Sequence, residues 1–193
     1  MIEGYQKYLE LIQNKIDGFF KQQEPFIFCK KGCSYCCENG EYPWSKMEFN
    51  YLVIGYNELD FKLKQEIAQN IISLKEQKKN FHGIGAFMHK CPFLINKTCA
   101  VYKYRGIVCR TFGLLSRKKD GQLTIPFCAS MGLNYSNVYD MENHCISKEK
   151  CEKLNTNIEP LLYRTEYDFL TQERFSSAYG FEFGEKKPLL DWF

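Results

Sequence analysis

Four cysteines lie close together near the start of the chain, in the pattern Cys29-x3-Cys33-x2-Cys36-Cys37. Thiolates at such short spacings can converge on one soft or borderline metal ion, because a single tight loop turns them inward. Gly32 lies inside this loop, where a residue that tolerates positive φ lets the backbone wrap closely around a metal. The cluster therefore predicts a metal site.

Cys36 and Cys37 are adjacent, and we expect their side chains to leave the backbone in different directions. One would then complete the first ligand set while the other faces a second set or a bridging position. The candidates for the second set are Cys91, Cys99, Cys109 and Cys128. Eight thiols suffice for two tetrahedral zinc sites, or for one iron–sulfur cluster with extra structural ligands. The four later cysteines could instead be core residues, since a free cysteine packs as a small hydrophobic side chain.

The composition favours one ordinary globular core, since 45% of the 193 residues are hydrophobic and 16% are aromatic. We expect a single domain over residues 1–193. Ten cysteines are too few for a small disulfide scaffold, and the N-terminus lacks the apolar segment of a secretory signal. These features predict reduced thiols and a cytoplasmic protein.

Charge and hydropathy narrow the class of partner. No apolar run approaches the roughly 20 residues that cross a bilayer. The net charge of +3 is weak for a nucleic-acid binder. We therefore expect a metal ion as the partner, with no membrane or nucleic acid, and the sequence leaves any protein partner open.

Three helices can be placed from local patterns. Apolar residues spaced by three and four predict an amphipathic helix from Ile2 to Phe20, before Pro25 breaks the pattern. Ser45 and Glu48 form a capping box that begins a helix through about residue 58, and Asp60 is suited to cap the next one.

The remaining signals indicate short hairpins and a further helical region. The segment 91–102 predicts a hairpin with Cys91 and Cys99 on its two arms, and Asp120-Gly121 is a second turn. Another helical region is expected from Ser147, with Pro160 opening a last long helix that carries Leu161, Tyr163, Phe169 and Phe175. The predicted fold is mainly α with small irregular β-hairpins, a compact domain organised around a cysteine-ligated metal centre.

The spacing of Cys29, Cys33 and Cys36 taken alone matches the three-cysteine motif of radical S-adenosylmethionine enzymes. Those enzymes carry the motif after the first strand of an α/β barrel. This chain predicts a helix before the motif and another after it, without alternation of strands and helices. Cys37 is a further departure, so we do not favour this class.

The complete cysteine series resembles the YkgJ-type cysteine-cluster family, described as a zinc- or iron-chelating domain. The motifs that match are Cys29-x3-Cys33-x2-Cys36-Cys37, Cys91-Pro92-Phe93-Leu94, Cys99-Ala-Val-Tyr102-x2-Arg105, Cys109-Arg110, and Cys128 followed by Gly132-Leu133. The resemblance covers residues 29–133, which leaves helical extensions at 1–24 and 147–180. It implies zinc or iron bound by the eight cysteines of the series. One departure is Arg105-Gly106, where the family usually has Arg-Pro.

A related cysteine pattern occurs in flagellin lysine N-methylases, which the resemblance links to an iron–sulfur cluster. The alternative function is therefore an iron–sulfur enzyme that transfers a group to protein side chains. The sequence leaves open whether any reaction is catalysed, since no Ser-His-Asp set or carboxylate pair is identifiable by spacing. A zinc-ribbon-like nucleic-acid module is a third class, but its regular pair of cysteine knuckles is missing here.

Several other residues could take part in the site. Cys145 and Cys151 lie outside the resemblance, and we interpret them as packing or exposed thiols. His89 and His144 could each replace a thiolate, although an unpaired histidine is usually a surface or hydrogen-bonded residue. Four cations could offset the charge of the thiolates: Lys30, Lys31, Arg105 and Arg110. We interpret the lysines as surface residues and expect Arg110 to act near the sulfurs.

Overall fold

The computed structural model describes residues 1–30, 32–118 and 120–193, and about half of the chain is helical. The helices are α1 (Ile2–Gln22), α2 (Tyr35–Glu38), α3 (Lys46–Asn57), α4 (Phe61–Lys79), α5 (Ile107–Thr111), α6 (Lys148–Lys153), α7 (Tyr167–Leu170) and α8 (Glu173–Ala178), with 3-10 turns at Glu24–Phe26, Tyr102–Tyr104, Phe127–Met131 and Leu189–Trp192. The strands are β1 (Pro43–Ser45), β2 (Leu94–Ile95), β3 (Thr98–Cys99), β4 (Ser116–Arg117), β5 (Leu123–Thr124), β6 (Tyr139–Asp140), β7 (Cys145–Ile146) and β8 (Lys186–Pro188). The prediction of a largely helical chain with small antiparallel strand pairs is confirmed.

Helix α1 follows the apolar spacing of its sequence and runs two residues beyond the predicted end. It buries one face, on which Tyr5 and Ile16 are almost fully covered. The Tyr5 ring packs edge-on against Tyr51 of α3 and Phe181 near the C-terminus, at centroid distances of 5.4 Å in both cases. This helix thus forms the main core together with α3 and the C-terminal segment.

The two predicted helix caps are present. The Glu48 N–H donates to Ser45 Oγ at 3.3 Å and the Ser45 N–H donates to Glu48 Oε2 at 2.8 Å, which completes the capping box of α3. Asp60 Oδ1 accepts a hydrogen bond from the Leu63 N–H at 2.9 Å and begins α4. Among the described residues, no helix has the length and apolar character needed to cross a membrane.

The strands form antiparallel pairs. Strands β2 and β3 make the predicted hairpin, with Asn96 and Lys97 both at positive φ in its two-residue turn. Cys99 lies on β3 opposite Leu94, whereas Cys91 precedes the ladder instead of lying on it. The second predicted turn joins β4 to β5. Strand β1 pairs with β8, 140 or so residues away, and this pairing had no signal in the sequence.

The prediction of a helix that starts at Pro160 is wrong. Its first half is extended, because the Tyr163 N–H donates to the Leu115 carbonyl at 3.2 Å and the Leu161 N–H donates to Gln23 Oε1 at 2.9 Å. Backbone donors used in these long-range contacts are not available to a helix. The periodic apolar residues farther on lie in the short helices α7 and α8 instead.

Candidate metal centre

Seven of the eight predicted cysteines line one cavity of about 270 Å³: Cys29, Cys33, Cys36, Cys37, Cys91, Cys99 and Cys109. Apolar and aromatic side chains form most of the remaining wall, including Phe20, Trp44, Leu52 and Phe112. The eighth cysteine, Cys128, is buried on the 127–131 turn and does not line the cavity. Segments separated by up to 80 residues therefore meet at one sulfur-rich space.

Asn134 holds the entrance to the cysteine loop in place. Its Oδ1 accepts hydrogen bonds from the backbone N–H groups of Cys29 at 2.8 Å and Phe28 at 3.0 Å. Its Nδ2 donates to the Gly113 carbonyl at 3.0 Å, and the residue is 1% exposed. The sequence reasoning missed this residue, although the Gly132-Leu133 pair of the family series directly precedes it.

The loop itself turns as its glycine predicts. Gly32 has φ of 93°, in the left-handed region that favours glycine, and the Cys33 N–H donates to the Lys30 carbonyl at 2.9 Å. Cys29 and Cys33 are exposed at this turn. Lys31 lies outside the described residues, so its expected surface position stays a prediction.

Helix α2 carries the adjacent pair Cys36 and Cys37, and their sulfurs do not diverge as expected. The two Sγ atoms lie 4.0 Å apart. Two thiolates on one tetrahedral zinc, each at about 2.3 Å, would be about 3.8 Å apart. The pair can therefore ligate one ion together, or two neighbouring ions.

Backbone hydrogen bonds bring the second group of cysteines to this pair. The Cys91 N–H donates to the Cys37 carbonyl at 2.7 Å, and the Gly40 N–H donates to the His89 carbonyl at 3.2 Å. Tyr42 Oη donates to the Cys36 carbonyl at 2.8 Å. The two backbone hydrogen bonds hold α2 and the residues after it against the segment that carries Cys91.

Glu48 places Cys109 by holding the first residue of α5. Its Oε1 accepts the Ile107 N–H at 2.8 Å, while Oε2 accepts the Tyr167 hydroxyl at 2.5 Å in addition to the cap of α3. The carboxyl is 1% exposed, and burial raises its pKa. A capping residue that was predicted locally thus also positions a ligand candidate.

The thiols influence one another, which shows that they form one electrostatic unit. Burial raises the pKa of Cys91 to about 12, and burial with the nearby Cys33 raises that of Cys29 to about 11. Burial also raises the pKa of Cys109, with further contributions from Cys91, Cys37 and Cys99. The hydrogen bond from Cys36 lowers the pKa of Cys37 to about 7, and Arg105 contributes to this. Within the adjacent pair, Cys37 is therefore the thiol that ionises first.

The two arginines differ in their roles. Arg105 lines the cavity, stacks 3.7 Å above the Tyr102 ring, and favours the thiolate of Cys37. Arg110 points its donors at oxygen atoms, the Arg105 carbonyl at 3.0 Å and Gln13 Oε1 at 2.6 Å among them. Arg110 thereby supports the turn that carries Arg105, and it also lines the cavity. Both arginines therefore lie where they can offset thiolate charge.

The remaining candidates lie away from the cavity. Cys145 is exposed on β7, and Cys151 on α6 lines a separate cavity of about 350 Å³. His144 Nδ1 is hydrogen-bonded to the Tyr139 hydroxyl at 2.9 Å. His89 is buried beside Cys91 with Nδ1 at 2.9 Å from the Lys90 carbonyl, and its Nε2 has no hydrogen-bond partner within the described part of the chain. None of the four is in the wall that the seven cysteines share.

Within residues 1–30, 32–118 and 120–193, no three Cys, His, Asp or Glu side chains already stand where they could hold one ion. The donor set nevertheless fits a thiophilic metal, because soft thiolates suit zinc and iron and carboxylates are nearly absent from the cavity wall. Metal binding requires the thiols to lose their protons. The S–H hydrogen bond between Cys36 and Cys37 is then lost.

A sequence profile described as "Putative zinc- or iron-chelating domain", and named for the motif CxxCxxCC, matches residues 28–145. The chain belongs to this CxxCxxCC family. The match includes all eight predicted cysteines and ends at Cys145, beyond the 29–133 range of the motif series, so the expectation that Cys145 lies outside the family region is corrected. No curated protein and no solved structure matched the chain. Membership of the CxxCxxCC family supports metal chelation and leaves zinc and iron as its two metals.

Proposed function

We propose that this CxxCxxCC protein binds zinc or iron in the cysteine cavity and that the centre holds more than one metal ion. The observation that carries the proposal is the seven thiols on a single cavity wall. One tetrahedral zinc takes four ligands, so seven exceed what one ion can use. The cavity of about 270 Å³ also has room for several heavy atoms, since one liquid water occupies about 30 Å³.

The chain's own residues would bind the metal and control its surroundings. The bound metal would cross-link α2, the 91–99 segment and α5. Phe112 and Trp44 keep water from the thiolates, and Arg105 balances part of their negative charge. All ten cysteines, each within the described ranges, carry free thiols. A reducing compartment such as the cytoplasm is part of this proposal, because thiols stay available as metal ligands there.

An iron–sulfur cluster in the same cavity is the second candidate, and the excess of thiols over the needs of one ion favours it. A cluster would take four thiolates and leave the others as structural neighbours. Group transfer to protein side chains, the activity suggested by the flagellin lysine N-methylases, would use that cluster.

Anaerobic purification followed by elemental analysis and an optical spectrum tests the proposal. A colourless protein with about two zinc ions per chain supports zinc sites of four thiolates each. A brown protein with iron and acid-labile sulfide supports the cluster. The matched control is Cys145→Ser, which removes an exposed thiol away from the cavity and should leave the metal content unchanged. Protein that binds neither metal when reconstituted, with its thiols reduced, would refute the function.

A further inference from the structure

We infer that the metal centre has two unlike halves, a permanent inner site and an exchangeable outer site that passes its ion to soft thiolate donors. This inference rests on the proposed function. The inner site consists of Cys37, Cys91, Cys99 and Cys109. The outer site consists of Cys29, Cys33, Cys36 and Cys128.

The inner cysteines are anchored on packed structure. The Cys91 N–H is bonded to the Cys37 carbonyl at 2.7 Å, and Cys99 lies on β3 opposite Leu94, which is 3% exposed. Cys109 is in α5, whose first residue Ile107 is fully buried. These four thiols are enough for one tetrahedral site, and none of them is exposed to solvent.

Three of the four outer cysteines line the same cavity, and Cys128 is buried on the 127–131 turn. Cys29 and Cys33 are exposed, and they belong to the segment between Ile27 and α2, whose described residues have no strand pairing. Cys128 is buried, and its carbonyl accepts the Leu133 N–H at 3.1 Å, directly before Asn134, which accepts the Cys29 N–H. Cys36 connects the halves, since its sulfur is 4.0 Å from that of Cys37 in the inner site.

Exposure controls how a thiolate-bound ion leaves. Exchange proceeds when an incoming donor reaches the metal and displaces one ligand at a time, so it requires an accessible ion and a ligand that can swing away. The outer site meets the first condition, because Cys29 and Cys33 are both exposed. For the second condition we assign Cys33 as the ligand that leaves, since it follows the Gly32 turn whereas the Cys29 backbone is held by Asn134. The inner site meets neither. The acceptor is therefore a molecule that offers thiolates, because an oxygen donor competes poorly for an ion held by sulfur.

Zinc release distinguishes the two halves. The full chain is loaded with Zn²⁺ without oxygen, and its zinc content is measured. An excess of the dithiol 2,3-dimercaptopropane-1-sulfonate is then added, and the zinc left on the protein is followed with time. We expect one of two zinc ions per chain to leave in a fast phase and the other in a slow phase. Cys29→Ser and Cys33→Ser should lose the fast phase and keep the slow one. Cys99→Ser should lose the slow phase, and Cys145→Ser should behave like the unmodified chain.

A second test uses the unmodified chain, so it does not depend on whether the serine variants fold. Brief alkylation of the zinc-loaded protein, followed by mass spectrometry, should modify Cys29 and Cys33 before Cys91 and Cys99, with the exposed Cys145 as the internal reference. Zinc that binds but leaves in one phase, or a fast phase that survives in both loop variants, would overturn the two-site inference while the proposed function stands. Failure to bind zinc or iron at all would refute the function itself.

Discussion

Replacing Glu48 with alanine removes a buried carboxylate that connects three helices. It accepts hydrogen bonds from the backbone N–H groups of Ser45 and Ile107, both at 2.8 Å, and from the Tyr167 hydroxyl at 2.5 Å. Alanine leaves the two buried amides without an acceptor. It also frees the start of α5, the helix that carries Cys109.

The magnitude follows from these contacts. A buried donor left without a partner costs about 1–3 kcal/mol, so two amides cost about 2–6 kcal/mol. Burying the Glu48 carboxylate is itself unfavourable, as its raised pKa indicates. The loss of this cost in the alanine variant offsets part of the destabilisation. We expect a net loss of about 3 kcal/mol, a large share of the roughly 5–15 kcal/mol that stabilises a domain. The matched control, Ser45→Ala, removes only the other half of the capping box and should cost about 1 kcal/mol.

Urea unfolding of the metal-free proteins, followed by circular dichroism, measures both losses. The folded pKa of Glu48 lies above its ordinary value of 4.5, so its ionisation equilibrium contributes stability that is complete below pH 4.5 and is lost as the pH rises through the folded pKa. The difference in the free energy of unfolding between the unmodified chain and Glu48→Ala should therefore become smaller as the pH rises from 4.5. A loss in Glu48→Ala no larger than that in Ser45→Ala would refute the reasoning.

Four further predictions test the metal centre. Removal of the metal by a strong chelator should lower the melting temperature and the protection of residues 29–40 and 91–128 from amide hydrogen exchange. Unchanged protection in verified metal-free protein would show that the metal is not structural. Cys37→Ser should lose metal by elemental analysis while Cys145→Ser keeps it, and full occupancy in the first variant would contradict the ligand assignment. Asn134→Ala removes two part-buried hydrogen bonds to N–H groups and one buried bond to the Gly113 carbonyl, so the free energy of unfolding should fall by about 1–3 kcal/mol. An unchanged urea midpoint would show that other hydrogen bonds replace them. Burial raises the pKa of most cavity thiols, so zinc binding at pH 7 should release protons and the zinc affinity should rise with pH. Calorimetry in buffers of different ionisation enthalpy measures the number of protons released. A value of zero would contradict this prediction.

The sequence by itself determined the features that depend on near neighbours. The ligand chemistry follows from residue type and from spacings of two and three, and Gly32 turns the loop because only a few φ values are open to other residues there. The capping box at Ser45 and Glu48 and the cap at Asp60 were predictable for the same reason, since each bond spans three residues. The resemblance to the family series also predicts Cys91 and Cys109 as ligands, and both line the cavity with the N-terminal cysteines.

Only the tertiary structure decided which distant groups meet. The contact of Cys91 with Cys37 and the support of Cys29 by Asn134 join segments 54 and 105 residues apart, and no local periodicity encodes such a pairing. The extended path after Pro160 was mispredicted for this reason, because its backbone donors are taken by Leu115 and Gln23. The sequence therefore determined which metals the chain suits, whereas packing determined that seven thiols share one cavity with a buried and an exposed end. Side-chain type acts locally, but burial depends on every segment that packs around it.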